Sequence, residues 1–319
     1  MLLGYLAVIA AGLASLIWSA DRFVDGAAAI AQRAGLTPML IGLTVVSVGT
    51  SAPEILISIM AAMAGSGELA VGNALGSNIA NVGLVLGVTL LIAPLATRRG
   101  TTFIDLPLLI ASVLFTAWLI WDLELSRRDS FYLLCALSLF FLRIAQHVKD
   151  PTGDTTTPAV PTLGAAQAWL SFAGGLILLI ASSRILVWSA TEIAVALGVS
   201  ELIIGLTIVA VGTSLPELAA SVMSAIKGHA DMAIGAVVGS NMFNILLVLA
   251  IPGLWGNLIL APEVLFRDLA TVFLTTLLLA LAALWGWNRA KGAGELRRGT
   301  GLALLACYAG YYFWLFDSP

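Results

Sequence analysis

Two copies of a short polar motif interrupt otherwise apolar stretches of this chain. The first copy is GTSAPE at 49–54, and the second is GTSLPE at 212–217. Proline removes one amide N–H and crowds the carbonyl four residues earlier, so we predict a helix that is bent or unwound at each motif, with freed carbonyl oxygens. Carbonyl and hydroxyl oxygens beside a carboxylate suit a hard cation. The motifs therefore predict a cation site built on two broken helices.

Two further motifs supply oxygen ligands that carry no charge. They are GSNIAN at 76–81 and GSNMFN at 239–244. Positions i and i+4 share one face of a helix, which places each serine beside the final asparagine of its motif. Hydroxyl and amide oxygens can complete the shell of a cation. The candidate ligands are Ser77, Asn81, Ser240 and Asn244.

The two glutamates carry the charge of this candidate site. An ionised carboxylate near the centre of a bilayer costs on the order of 2.5–3.5 kcal/mol, so it persists where it meets a cation or a water path. Glu54 and Glu217 together would balance one divalent ion. The alternative is a buried acid pair that holds helices together or stays protonated, and the lack of basic partners nearby in the sequence disfavours it. Arg184 is expected to extend to the membrane interface, with pairing to a carboxylate as its alternative.

The composition indicates that these motifs lie inside a membrane. Hydrophobic residues make up 60% of the 319 residues, charged residues 10%, and the mean hydropathy is +1.02. A membrane-spanning helix needs about 20 apolar residues, and the short alternating pattern of a β-barrel is absent from the sequence. We predict an all-α membrane protein with ten transmembrane helices at 2–20, 38–63, 69–93, 103–121, 130–147, 169–190, 201–226, 232–254, 269–287 and 301–316.

The chain contains an internal repeat. An offset of 163 residues carries Gly49 onto Gly212, and about half of the positions between Ile41 and Gly87 then match without a gap. Each copy holds five predicted spans, an odd number, so the second copy must cross the membrane in the opposite sense. This predicts two inverted five-helix repeats, with broken helices and the site at the midplane where the halves meet. The expected units are 1–147, a cytoplasmic linker at 148–163, and 164–319.

The basic residues of the short loops predict the orientation of the chain. If the amino terminus is outside, the opposite side holds Arg127, Arg128 and Arg267 only. The cytoplasmic loops then hold Arg33, Arg98, Arg99, Arg143, Lys149, Lys227, Arg289, Lys291, Arg297 and Arg298. This bias follows the positive-inside rule. We expect a multi-pass protein of the inner (plasma) membrane with both termini outside the cytoplasm.

The repeated motifs resemble those of the cation/calcium exchanger superfamily. In that family GTSxPE in the second span is followed by GSNxxN or GSNxxD in the third, and both copies of both motifs are present here. The ten-span layout is also similar to that of prokaryotic sodium/calcium exchangers. The resemblance implies one calcium site and three sodium sites at the centre of the protein. It also implies that the first and sixth helices slide across the rest to alternate access.

The resemblance assigns roles to individual positions. Calcium would be held by Glu54 and Glu217 with backbone oxygens of Thr50 and Thr213. Sodium would use the same acids, and Asn81 and Asn244 would border the central site. The further sodium ligands would be Ser51, Ser214, Ser77, Ser240 and the backbone at Ser47 and Ala210.

The counter-ion is the main alternative that the sequence leaves open. The potassium-dependent branch carries Asp where this chain has Asn244, which argues against K⁺ co-transport. Proton-coupled relatives typically carry an acidic helix where this chain has Asn81 and Asn244. The leading hypothesis is therefore a secondary active antiporter that exchanges Na⁺ for Ca²⁺ and extrudes Ca²⁺. The runner-up is an H⁺-coupled antiporter of Ca²⁺ or another divalent cation.

Two other function classes fit the sequence less well. A passive channel is disfavoured by the inverted repeat. An enzyme is not predicted, since no HExxH, GxSxG or paired intramembrane Asp motif occurs. The expected partners are the lipid bilayer and the transported Ca²⁺ and Na⁺, with no cofactor and no nucleic acid. A monomer is compatible with this interpretation.

Overall fold

The computed structural model describes residues 2–147, 163–198, 208 and 210–317. Apart from Leu163, the predicted linker lies outside these ranges, as does the start of the predicted span at 201–226. The helices of the first half are α1 (Leu2–Arg33), α2 (Pro38–Thr50), α3 (Ala52–Met63), α4 (Gly67–Ile92), α5 (Thr101–Leu119) and α6 (Arg127–His147). Those of the second half are α7 (Ala165–Ala196), α8 (Ala210–Thr213), α9 (Leu215–Ile226), α10 (Ala230–Trp255), α11 (Val264–Trp285) and α12 (Arg298–Asp317).

Most of the predicted membrane-spanning helices are present. Within the described ranges, eight helices are long and apolar enough to cross a membrane, and the bent pair α2 and α3 makes up to nine. Helix α9 is a shorter apolar helix of 12 residues. The chain is therefore a mostly helical, multi-pass membrane protein, as the sequence predicts. The full count of ten stays a prediction.

Helices α1 and α7 are longer than the predicted spans. Each has 32 residues, whereas the predictions were 2–20 and 169–190. The polar residues Asp21 and Arg22 do not end α1, because an alanine-rich segment follows them. Alanine is the strongest helix former, and Ala27–Ala31 are buried in the apolar interior, which fixes this continuation.

The long helices α1 and α7 run antiparallel. Near the start of α1, Tyr5 Oη donates a hydrogen bond to Glu192 Oε2, near the end of α7, over 3.2 Å. At the opposite end of α1, Arg33 Nη1 donates to the carbonyl of Leu163, just ahead of α7, over 2.9 Å.

Several glycines allow the close approach of this helix pair, and two of them occupy equivalent positions. A Cβ added at Gly12 would lie 2.9 Å from Leu186 Cδ2, and one at Gly175 would lie 2.6 Å from the backbone nitrogen of Phe23. The repeat offset carries Gly12 onto Gly175 and Phe23 onto Leu186. The two contacts are therefore equivalent under the repeat.

The apolar interior of the described residues is divided into two clusters. One cluster contains the inner faces of α1 and α7, including Phe23 and Leu179, with residues of α2, α9 and α10. The other contains most of the remaining interior, including Leu75 and Phe243. The pair α1 and α7 is thus a packing unit set against the rest of the bundle.

Four short strands join the two halves at the ends of the bundle. Strand β1 (Leu95–Arg98), which follows α4, pairs antiparallel with β4 (Ala293–Leu296), which precedes α12. Strand β2 (Glu124–Leu125), which precedes α6, pairs antiparallel with β3 (Leu258–Ile259), which follows α10. Each pair joins a strand of the first half to a strand of the second.

Candidate cation site

The site is built on two helix breaks. Helices α2 and α3 meet at Ser51, where the backbone leaves the helical region (φ −82°, ψ 3°), and they are bent by 45°. Helices α8 and α9 are separated in the same way at Ser214 (φ −90°, ψ 4°). Pro53 and Pro216 lie in the first turn after each break, where a missing N–H is tolerated. The bend predicted at the first motif is therefore present.

The carbonyl that Pro216 leaves without a helical N–H donor has a partner on α7. Ser183 Oγ donates a hydrogen bond to the Gly212 carbonyl over 2.8 Å. The position equivalent to Ser183 in the first half is Ala20, which cannot donate such a bond to Gly49. Helix α7 is therefore attached to the second break through a contact that the first break lacks.

Both glutamates lie at the start of the helix that follows a break. Glu54 is 1% exposed and Glu217 is 4% exposed. Glu54 Oε2 and both carboxylate oxygens of Glu217 have no hydrogen-bond partner among the described residues. The carboxylate of Glu217 interacts electrostatically with Glu54 and lies beside the hydroxyls of Thr50 and Ser51 on the other broken helix. The two acids thus share one buried region.

Arg184 on α7 is a basic residue within electrostatic range of this region. Its charge acts on Glu54 at a distance. No ion pair between the two side chains falls within 4 Å in the described part of the chain. Arg184 therefore biases the local field without neutralising Glu54 through a direct contact.

The asparagines of the GSN motifs meet between the halves. Asn241 Nδ2 donates to the carbonyl of Asn78 over 3.4 Å, and these two residues are repeat equivalents. Asn81 and Asn244 each begin a π-helical segment, Asn81–Leu86 and Asn244–Val248. Such wide turns are frequent at functional sites.

Buried polar atoms without partners are concentrated here. Besides the glutamate oxygens, the four motifs contribute Ser51 Oγ, Ser214 Oγ, Ser240 Oγ, Asn81 Oδ1, Asn244 Oδ1 and Nδ2, Asn78 Oδ1 and Nδ2, and Asn241 Oδ1. A buried polar group without a partner costs about 1–3 kcal/mol. Hard cations take carboxylate, amide and hydroxyl oxygens as ligands, so the oxygens of this set fit such a substrate. Across the described residues, no group of three or more His, Cys, Asp or Glu side chains forms a conventional metal centre.

The remaining predicted ligands are on the same elements. Thr50 is buried, and its hydroxyl donates to the Val46 carbonyl over 3.1 Å. Ser47 Oγ donates to the Thr44 carbonyl over 3.1 Å, and the Ser47 carbonyl accepts a hydrogen bond from the backbone N–H of Ser51 over 2.9 Å. Ser77 is buried on α4. Ala210 begins α8, and Thr213 ends it.

Helix α10 crosses α2 in close contact. A Cβ at Gly239 would lie 2.6 Å from both the Leu43 carbonyl oxygen and Ser47 Oγ, and one at Gly235 would lie 2.7 Å from the Met39 carbonyl oxygen. These glycines therefore let the backbone of α10 approach α2 near the site, which is the packing role expected of small residues in membrane helices.

Two residues near the site were missed by sequence reasoning. Asn73 Nδ2 donates to the Glu54 carbonyl and to Ser58 Oγ, each over 3.1 Å, and so ties α4 to the first turn of α3. Ser183, described above, is the other. A signal for Asn73 exists, because the repeat places Ala236 at its equivalent position and an unmatched polar residue stands out. The same signal exists for Ser183, whose repeat equivalent is Ala20.

A charged cluster lies at the end of α9, away from the break. Lys227 Nζ contacts Asp21 Oδ1 at 2.7 Å and Asp25 Oδ1 at 2.5 Å, which joins α9 to α1. His229, in the next turn, is 3% exposed, and its Nδ1 has no partner among the described residues. Burial and the charge of Lys227 lower the pKa of His229, and Asp25 opposes this effect. The equivalents of Lys227 and Asp21 in the other half are Ala64 and Arg184, so no matching ion pair can form there.

Comparison with known proteins identifies the family. Residues 4–145 and 167–316 match the family described as sodium/calcium exchanger protein. The chain belongs to this family of membrane transporters.

Individual relatives match over almost their whole length. A protein of Alkalimonas amylolytica named CaxA is 42% identical over 96% of this chain and 97% of its own. The sodium/calcium exchanger MaX1 of Methanosarcina acetivorans is 30% identical over 97% of each chain. A structure of the sodium-calcium exchanger NCX_Mj, soaked without Na⁺ and Ca²⁺, superposes with a TM-score of 0.83 at 31% identity and covers 99% of this chain and all of that one.

Proposed function

We propose that this protein is a secondary active antiporter that exchanges Na⁺ for Ca²⁺ across the membrane by alternating access. The observation that carries the proposal is the pair of buried acids, Glu54 and Glu217, at two equivalent helix breaks, surrounded by hydroxyl and amide oxygens without partners. Both ions need the same carboxylates. The site therefore releases one ion as it takes up the other, which couples the two fluxes.

The proposed ligands are those of the repeated motifs. Glu54 and Glu217, with backbone oxygens of Thr50 and Thr213, would hold Ca²⁺. The same acids, with Ser51, Ser214, Ser77, Ser240 and the backbone at Ser47 and Ala210, would hold Na⁺, while Asn81 and Asn244 would border the central position. Membership of the sodium/calcium exchanger family supports this assignment.

The proposed architecture is ten spans in two inverted repeats, 1–147 and 164–319, joined by a linker at 148–163. The strand pairing supports it. In an inverted repeat, the end of the third span of one half lies at the same membrane face as the start of the fifth span of the other. Strand β1 pairs with β4, and β2 pairs with β3, as this requires. A repeat with the same orientation in both halves would place these strands at opposite faces.

The proposal also covers the orientation of the chain in the membrane and the charge that one transport cycle moves. The excess of basic loop residues at one end would place that end in the cytoplasm and both termini outside. Exchange of three Na⁺ for one Ca²⁺ would move one net charge per cycle, worth about 2.3 kcal/mol per 100 mV. Na⁺ influx could then drive Ca²⁺ extrusion. Asn244, which has no charge, is consistent with exchange that does not need K⁺.

The second candidate is an H⁺-coupled divalent cation antiporter. Its support is that two buried carboxylates could exchange protons for the divalent ion without any change in the ligand set.

The test is uptake of radioactive Ca²⁺ into proteoliposomes loaded with Na⁺, compared with K⁺ loading and with an imposed pH gradient. We expect uptake that requires internal Na⁺ and is abolished in Glu54→Gln and in Glu217→Gln. Glu68→Gln is the matched control, because Glu68 begins α4 and is exposed. Uptake that follows the pH gradient and ignores Na⁺ would support the proton-coupled candidate instead.

A further inference from the structure

A stripe of buried polar side chains leads away from Glu217 along α9. Ser221 and Ser224 follow Glu217 by four and seven residues, which places all three on one face of the helix. Both serines are 1% exposed. Neither hydroxyl oxygen has a hydrogen-bond partner in the described part of the chain.

Several helical hydroxyls outside the motifs do have carbonyl partners. Thr44, Thr89, Ser112 and Thr116 each donate to the carbonyl four residues earlier, which is the usual way to satisfy a hydroxyl in a membrane helix. The two serines instead share the lack of a partner with Ser51, Ser214 and Ser240, the hydroxyls that the motifs predict to be cation ligands. Away from the motifs, the same is true of Thr102, Ser130, Ser189 and Thr276, but only Ser221 and Ser224 continue the face of Glu217 along α9.

The stripe occurs in one half only. The repeat equivalents of Ser221 and Ser224 are Ser58 and Ala61. Ser58 Oγ accepts a hydrogen bond from Asn73, and Ala61 has no polar atom. The free hydroxyls of α9 are therefore not a requirement of the fold that both halves share.

The stripe lies along the boundary between the two apolar clusters. Ala220, on one side of it, packs in the cluster of α1 and α7, while Ala225, on the other side, packs in the second cluster. At the end of α9 the boundary is closed by the contacts of Lys227 with Asp21 and Asp25. A path along this boundary could open by separation of the two packing units, without disruption of either apolar cluster.

We infer that Ser221 and Ser224 line the path by which Na⁺ and Ca²⁺ pass between Glu217 and the end of the molecule that carries Lys227. Hydroxyl oxygens along this face replace part of the water around the cation as it approaches the carboxylate. Since the inference rests on the proposed function, its test must not depend on transport alone.

The first experiment measures access of water to the stripe. Cys135 and Cys307 are both exposed, so each is first replaced by alanine. Ser224→Cys is then treated with a membrane-impermeant, thiol-reactive cation from each side of oriented vesicles. We expect modification only from the side of Lys227. Ala225→Cys is the matched control at the same depth on the apolar face and should stay unmodified.

A second control compares the two halves. Ala61→Cys, the repeat equivalent of Ser224, should not react from the side of Lys227. Modification of Ser224→Cys only from the opposite side, or equal modification of Ser224→Cys and Ala225→Cys, would overturn the inference. So would a Ser224→Cys protein that still transports Ca²⁺ yet stays unmodified from both sides.

The second experiment separates the path from the binding site. Ser221→Ala with Ser224→Ala should slow Ca²⁺ transport by roughly threefold to tenfold, as expected for lost cation–hydroxyl contacts, with unchanged equilibrium Ca²⁺ binding. Unchanged transport, or a matching loss of binding, would contradict a path role. If the parent protein shows no Na⁺-dependent transport while Ser224→Cys is modified as expected, the proposed function fails and the aqueous path stands.

Discussion

At the residue scale, the helix turns that carry the two acids of the candidate site differ in their hydrogen bonds to the neighbouring helix. The carbonyl of Glu54 accepts a hydrogen bond from Asn73, and Ser58, one turn later, accepts another. Glu217 has Ala236 at the position equivalent to Asn73. The first turn of α3 is therefore fixed to α4 by polar contacts that α9 lacks, and the two halves of the site are not interchangeable.

Asn73→Ala is expected to loosen the helix that carries Glu54. Two hydrogen bonds worth about 0.5–1.5 kcal/mol each would be lost. We predict a Ca²⁺ concentration for half-maximal transport that rises several-fold, together with a lower melting temperature in detergent. Ser58→Ala removes one of the two bonds and should show a smaller effect. Equal values for Asn73→Ala and the parent protein would show that Asn73 does not position Glu54.

His229 predicts a dependence of stability on pH. Its pKa is lowered in the folded protein by burial and by Lys227, against an ordinary value of about 6.5. The unfolded state therefore binds the proton more readily, so the contribution of His229 is complete above about pH 6.5 and is lost as the pH falls through the lowered value. Asp25, in the same cluster, opposes this shift.

We expect the melting temperature to fall between neutral pH and about pH 5, and to fall less in His229→Gln, which stays neutral throughout. The measurement is thermal unfolding in detergent at each pH. His147→Gln is the control, because His147 is a second histidine at the end of α6 and is remote from Lys227 in the sequence. An equal fall in the parent protein and in His229→Gln would assign the pH dependence to other groups.

At the element scale, the antiparallel pair α1 and α7 depends on contact between helix backbones. Gly175 sits against the backbone of Phe23, where a Cβ would lie 2.6 Å from the nitrogen and 2.8 Å from Cα. Backbone atoms cannot yield as the end of a flexible side chain can. The helices must separate if Gly175 gains a side chain.

Gly175→Ala should therefore destabilise the protein by about 1–3 kcal/mol, the usual cost of overpacking. The neighbouring Gly174→Ala is the matched control, since Gly174 is exposed with open space around it, and alanine there improves helix propensity. The measurement is thermal unfolding of both variants. Equal stability of the two would show that the helix contact is looser than the distances indicate.

At the scale of the whole molecule, the proposed inverted repeat would place equivalent elements at opposite ends. Strands β1 and β4 close one end, and β2 and β3 close the other. Lys227 forms ion pairs with Asp21 and Asp25 of α1, and its repeat equivalent, Ala64, cannot form such a pair. The ion pairs of Lys227 with α1 therefore have no counterpart under the repeat.

Net charge movement is the property of the whole cycle that can be measured directly. With the proposed exchange of three Na⁺ for one Ca²⁺, an imposed potential of 100 mV should shift the Ca²⁺ gradient at balance by about 2.3 kcal/mol, close to fiftyfold. The measurement is Ca²⁺ uptake in Na⁺-loaded vesicles with a K⁺ diffusion potential of either sign. Exchange of two Na⁺ for one Ca²⁺ would give no shift.

The sequence alone predicted the membrane class, most of the spans and the residues of the motifs. These properties are local: apolar length determines whether a helix can cross the membrane, and Pro53 breaks its own helix whatever its neighbours are. The repeat could also be found without a structure, because it consists of identical residues at a fixed offset in the sequence.

The tertiary structure decided the features that depend on contact between distant segments. The end of α1 lies beyond the predicted span because the buried residues Ala27–Ala31 continue this helix. The bond of Ser183 to the Gly212 carbonyl and the two bonds of Asn73 join elements whose approach no local pattern encodes. Only the packing distinguishes Ser221, whose hydroxyl is free, from Ser58, which carries the same side chain in the same repeat position.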